Sequence, residues 1–171
     1  IMPKFTINGQ EVEVPNGRTV LEAAQQAGIT IPTLCYHKDL SPYGGCRLCI
    51  VEVQGARLPM ISCTLPVTEG MVVQTETPKL AESRRSVLKL LLSAYYDRGD
   101  NAADGHENEL VQWANFYGLN VAEASAKNPR YEINADPNPF IYIDMNKCIL
   151  CGRCVRACAE VQGRFVWGLS E

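Results

Sequence analysis

With 171 residues, 46% apolar and 20% charged, the chain can form one ordinary domain or a few small modules, and its balance is that of a soluble globular protein. These values exclude extended disorder, a collagen-like repeat and a coiled coil. Apolar runs such as Leu90-Leu91-Leu92 fall far short of the roughly 20 residues that cross a bilayer, so no membrane span is expected. The net charge of −3 offers nucleic acid no general attraction. Ile1-Met2-Pro3-Lys4-Phe5 lacks the basic segment and apolar stretch of a secretory signal, and a cytoplasmic location is expected.

The chain opens as a hairpin. Phe5-Thr6-Ile7 and Val12-Glu13-Val14 alternate in period two around the turn dipeptide Asn8-Gly9. Thr19-Val20-Leu21-Glu22 reads as a capping box, and the helix it starts runs to a stop at Gly28. Ile50-Val51-Glu52-Val53 and Met71 to Thr75 read as further strands. A small mixed sheet with one helix across it is predicted.

Eight cysteines are the unusual number, and they fall into two clusters. An exported disulfide scaffold is shorter, richer in Cys and preceded by a signal, so metal binding is the better reading. Cys35, Cys46, Cys49 and Cys63 are spaced C-x10-C-x2-C-x13-C on the first module. Gly44 and Gly45 precede the close pair, where glycine lets backbone N–H groups turn toward cluster sulfurs. A four-thiolate zinc site would use the same ligands and remains a rival. Zinc ribbons pair two C-x2-C knuckles, however, whereas Cys35 and Cys63 stand alone, which favours [2Fe–2S]. Cys35-Tyr36-His37 suggests a Rieske centre, but Cys49 stands where its second His is required.

A stretch without Cys follows. Thr77-Pro78 reads as a helix start, with Leu80, Val87, Leu88, Leu91 and Tyr95 on its apolar face and Arg84, Arg85 and Lys89 among its polar positions. Leu110, Trp113, Ala114 and Tyr117 mark a second helix ending at Gly118. Asn128 to Pro139 reads as a linker, and Phe140 to Ile143 as a short strand. His106-Glu107 begins like a zinc-protease helix but Leu110 occupies the place of the second His. His37 and His106 read as solvated or packing residues, and no nucleophilic triad or phosphate loop is present. Arg47, Arg153 and Arg156 adjoin candidate ligands, where they tune a potential, form a docking face or simply meet solvent.

The second cluster, Cys148, Cys151, Cys154 and Cys158, has the C-x2-C-x2-C-x3-C spacing of bacterial ferredoxins, with Ala159 in place of the final Pro. Three thiolates hold one [4Fe–4S] cube, and the fourth, Cys158, ligates a second. The remaining ligands are then expected outside the chain, so the sequence reads as a piece of a longer one, and Ile1 ahead of Met2 fits that reading. The alternative is that Cys158 folds back onto the first cube.

With both modules in this order, the chain resembles the N-terminal region shared by the large iron–sulfur subunit of respiratory complex I, [FeFe]-hydrogenases and NAD-dependent formate dehydrogenase catalytic subunits. Asn138-Pro139-Phe140 through Cys148 to Val161-Gln162-Gly163 is most similar to the formate dehydrogenase branch. The resemblance implies an α+β chain in three parts: a β-grasp plant-type [2Fe–2S] domain over 1–78, a helical module over 79–137, and the start of a two-cube ferredoxin domain over 138–171. In the family the middle module holds a [4Fe–4S] cluster with one His and three Cys. Anchored on Glu109-Leu110, those positions fall here on Tyr95, Gly99, Ala102 and Asn108, none of which ligates iron, so the scaffold is expected without its cluster. The flanking clusters must then approach each other directly or use a partner's centre. The implied function is electron conduction between a molybdenum or tungsten pterin, held in the missing C-terminal part, and a flavin/NAD-binding diaphorase-type subunit of a multi-subunit complex. The alternatives are an [FeFe]-hydrogenase, a complex I-like subunit, or a stand-alone electron carrier.

Overall fold

The computed structural model describes residues 2–96, 108–132, 140 and 143–169. Gly99, Ala102 and His106, most of the expected linker, and Ile141 and Tyr142 of the expected strand lie outside them. The chain divides into two units, Ile1–Arg84 with Gly152–Glu171, and Arg85–Cys151.

In the first unit, β1 (Lys4–Ile7) and β2 (Gln10–Glu13) pair antiparallel with Ile7 opposite Gln10. Asn8 and Gly9 take φ of 51° and 84°, as the two-residue turn matching strand twist requires. Asn8 also ties the turn to the sheet. Its Nδ2 donates to Thr75 Oγ1 at 2.7 Å, and its Oδ1 accepts from Thr75 N at 2.8 Å. The capping box starts α1 (Val20–Gln26) as predicted, with Thr19 Oγ1 accepting from Glu22 N and Glu22 Oε2 accepting from Thr19 N at 2.8 Å.

Strands β3 (Ile50–Val53), β4 (Met60–Ile61) and β5 (Val72–Gln74) complete a mixed sheet in the order β2-β1-β5-β3-β4. β1 and β5 run parallel and the other neighbours antiparallel, the β-grasp arrangement. Its core joins Phe5, Ile7 and Val12 of the hairpin to Val51 and Val73 of the inner strands and to Val20, Leu21, Ala23 and Ala24 of α1. Cys49 and Cys63 belong to the same core, so two candidate ligands are anchored by the packing that folds the domain. The two-residue β4 has too little pattern to be read from sequence.

Helix α2 (Pro78–Ala94) leaves the sheet, its start capped by Thr77 Oγ1, which accepts from Leu80 N at 3.2 Å. Leu80 and Leu88 are buried as predicted. Arg84 is not a solvated residue: it has no exposed surface. It lies one turn from both leucines, on the buried line of the helix.

In the second unit, α3 (Glu109–Phe116) and the short α4 (Val121–Ala124) follow, and Leu88, Leu92, Tyr95, Leu110, Ala114 and Tyr117 are buried. A 3-10 turn at Met145–Lys147 precedes Cys148. Returning to the first unit, α5 (Arg153–Arg156) continues as a π-helical turn over Ala157–Val161.

Candidate iron–sulfur sites

The first four cysteines all lie on loops and turns beside the sheet. Cys35 and Cys46 lie on the long loop between α1 and β3, Cys49 leads into β3, and Cys63 follows β4. Cys35, Cys49 and Cys63 are buried, Cys46 is half-buried, and none forms a disulfide.

The thiols associate as two pairs. Cys46 is the largest influence lowering the pKa of Cys35, and Cys63 the largest lowering that of Cys49. The pairs feel each other electrostatically, since Cys63 is influenced by Cys49, Cys35 and Cys46 together. Among the described residues no three His, Cys, Asp or Glu side chains converge to hold one metal ion. Two adjacent pairs can supply a two-iron centre, in which each iron takes two protein thiolates.

Donors surround these sulfurs. The Cys46 thiol, the N–H groups of Cys46 and Gly45, and the Arg156 charge hold Cys35 at about 5 despite its burial. The Cys63 thiol and N–H bring Cys49 to about 7. Cys46 and Cys63, as the proton-bearing members, are pushed up by their partners and by burial. Such a donor set favours thiolates, the form that binds iron.

Residues that no motif marks hold the Cys49 segment. Arg84 Nε donates to Leu48 O at 3.1 Å and its Nη2 to Ile50 O at 2.6 Å, the two carbonyls flanking Cys49. The same Nη2 reaches Thr75 O at 2.9 Å, and Nη1 meets Glu76. The Cys49 carbonyl accepts from Ser62 Oγ at 2.7 Å and Ser62 N at 3.1 Å. The spacing Leu80-Arg84-Leu88 was the available signal for Arg84.

Cys148 and Cys151 close the second unit, both half-buried, whereas Cys154 (exposed) and Cys158 (buried) lie on the helical segment of the first. Ahead of Cys148, Asn146 is buried and organises its loop. Its Oδ1 accepts from Arg130 N and Tyr131 N at 2.8 and 3.0 Å, its Nδ2 donates to Tyr131 O, and its carbonyl accepts from Tyr96 N. Asp144, which caps the turn through Asn146 N, was the only local hint. Of the four middle-module positions, Tyr95 and Asn108 are described, and Asn108 Nδ2 donates to Tyr95 Oη at 2.9 Å.

Comparison with known proteins fits this geometry. Residues 2–78 match the 2Fe-2S iron-sulfur cluster binding domain family, and residues 140–163 the 4Fe-4S binding domain family. A chain of the NAD+-reducing [NiFe]-hydrogenase, crystallised in its H2-reduced state, superposes with a TM-score of 0.85 at 32% identity, over 99% of this chain and 70% of its own. A subunit of the NADH-quinone oxidoreductase of Rhizobium meliloti (strain 1021) is 39% identical over 99% of this chain and 20% of its own length. The chain belongs to the iron–sulfur electron-transfer family that these two proteins share. The alpha subunit of the NADPH-Fe(3+) oxidoreductase of Geobacter sulfurreducens is 39% identical over 95% of this chain and 19% of its own. The chain thus spans about a fifth of the length of these curated relatives. No helix among the described residues is long and apolar enough to cross a membrane.

Proposed function

We propose that this chain conducts electrons within a cytoplasmic, formate dehydrogenase-like oxidoreductase, between a molybdenum or tungsten pterin site in the rest of its polypeptide and a flavin/NAD-binding diaphorase-type subunit. The observation that carries the electron-transfer reading is the arrangement of Cys35, Cys46, Cys49 and Cys63 as two donor-surrounded thiol pairs in a β-grasp domain. These four are assigned to one [2Fe–2S] cluster, which when bound supplies a one-electron relay. Cys148, Cys151 and Cys154 are assigned to a [4Fe–4S] cube and Cys158 to a second, on their spacing and on the matching 4Fe-4S family. The chain's own residues supply thiolates, N–H donors and a dry core around them, and no bond-making side chains. The domain boundaries proposed are 1–78, 79–137 and 138–171.

The formate branch rests on the run from Asn138 to Gly163. The hydrogenase likeness supports a second reading, in which hydrogen is the electron source. The reductant separates the two. Formate added to the intact complex should reduce the two-iron centre, seen by EPR, with molybdenum or tungsten present in stoichiometric amount. Reduction by H2 alone would replace this reading by the second. Stoichiometric zinc with no iron in the Cys35–Cys63 domain would end both.

A further inference from the structure

The helical segment bearing Cys154 and Cys158 is latched to the loop bearing Cys35 by side chains that the cluster assignment does not use. Arg156 Nη2 donates to the Cys35 carbonyl, and its Nη1 donates to Ser41 O at 2.6 Å. The guanidinium carbon lies 5.2 Å from the centroid of the Tyr43 ring. Arg153 Nη2 donates to Tyr36 O at 2.8 Å. One turn further on, Glu160 accepts from Ser41 N at 2.7 Å and from Ser41 Oγ at 2.6 Å. These contacts join residues more than 110 positions apart inside one unit.

The loop is shaped to receive them. A Cβ on Gly45 would stand 2.3 Å from the Tyr43 ring, so glycine there leaves the ring free to lie against Arg156. Gly152, at φ 67°, passes its backbone close to the same ring, where a Cβ would sit at 3.7 Å. Arg156 spends both terminal nitrogens on backbone carbonyls, and Glu160, whose carboxylate senses Arg156, gives both its oxygens to Ser41. A cation bonded to a carbonyl keeps its full charge, and here that carbonyl belongs to a candidate ligand.

We propose that Arg156 is a positioning residue with two effects: it clamps the Cys154–Cys158 helix onto the Cys35 loop, and its fixed charge raises the potential of the [2Fe–2S] centre at that loop. The proposal rests on the assignment of Cys35 to that centre. Its physical basis is simple. Reduction adds one negative charge to the centre, and a cation bonded to the backbone of buried Cys35 stabilises that charge.

The experiment is an EPR-monitored redox titration of the full cluster-loaded chain, with iron content and amide hydrogen exchange measured alongside. Arg156→Gln should keep its iron but lower the reduced-to-oxidised ratio at the wild-type midpoint by about tenfold, about 59 mV for a one-electron couple. Arg156→Lys should keep most of the wild-type potential. Full iron with an unmoved midpoint in Arg156→Gln overturns the proposal. Should Arg156→Gln lose iron, Arg156→Lys, which keeps the cation but cannot reach the Cys35 and Ser41 carbonyls together, tests the clamp: exchange should quicken in the 36–43 loop and the 153–161 helix together. Unchanged protection in both segments overturns it. A wild-type chain without a two-iron signal removes the cluster assignment, and the proposal with it. A normal wild-type signal that ignores Arg156→Gln overturns the proposal alone.

Discussion

Arg84 and Asn146 show how single buried polar side chains hold the cysteine-bearing segments. Arg84 satisfies three carbonyls that strand pairing leaves over, two of them on either side of Cys49, and Glu76 balances its charge at the surface. Truncating it strands buried acceptors, each costing about 1–3 kcal/mol. Arg84→Ala should therefore lower the unfolding free energy of the chain by about 3 kcal/mol or more, read as a fall in denaturation midpoint. Arg84→Lys should recover only part of this, because an ammonium cannot span the Leu48 and Ile50 carbonyls in one plane. An Arg84→Ala variant as stable as wild type would show that these bonds contribute little. Asn146 plays the matching part before Cys148, joining four backbone groups through one side chain and its own carbonyl.

Two helix starts carry predictions at the level of the element. At α1, burial pushes the Glu22 carboxyl up, but the Thr19 N–H, Arg18 and the Thr19 hydroxyl outweigh it and hold it below the usual carboxylate range. A carboxyl with a depressed folded-state pKa contributes stability that is complete above its unfolded value, about 4.3, and fades as pH falls through the folded one. Glu22→Gln should thus destabilise the chain at pH 7, and the gap should close as pH falls through the depressed folded-state value, as followed by thermal unfolding at each pH. A gap that persists at low pH would assign the effect to packing instead. At α3, Asn108 Oδ1 accepts from Leu110 N at 2.9 Å and from Val111 N at 3.3 Å, while its amide reaches Tyr95. A residue engaged as a helix cap and as the partner of a buried phenol has a structural task of its own. We propose that the middle module binds no cluster, which agrees with the lack of any thiol between Cys63 and Cys148. Asn108→Ala should leave total iron unchanged while costing about 1 kcal/mol, the usual worth of a cap. Loss of iron in that variant would contradict the proposal.

For the whole molecule, we propose that Cys158 ligates a second cube rather than the one held by Cys148, Cys151 and Cys154. Cys154 and Cys158 sit on one helical segment, yet the first is exposed and the second buried, so they face different surroundings. In the intact protein Cys158→Ala should damage a second cube selectively, leaving the iron held by Cys148, Cys151 and Cys154, as counted by iron analysis and Mössbauer spectroscopy. All four thiolates on a single cube would overturn this assignment. The sequence by itself determined the hairpin, the capping box, the inner strands, α2 and α3, because each is written in local terms: turn dipeptides, cap residues and apolar period. It also singled out the eight cysteines, since ligand spacing is a property of the chain. Only the tertiary structure decided that Arg84 is buried, that the first four thiols meet as pairs, and that Arg153, Arg156 and Glu160 grip the Cys35 loop. Those contacts join residues between 8 and 121 positions apart. The direction of a long polar side chain depends on which carbonyls the fold leaves unpaired beside it, and no local pattern records that.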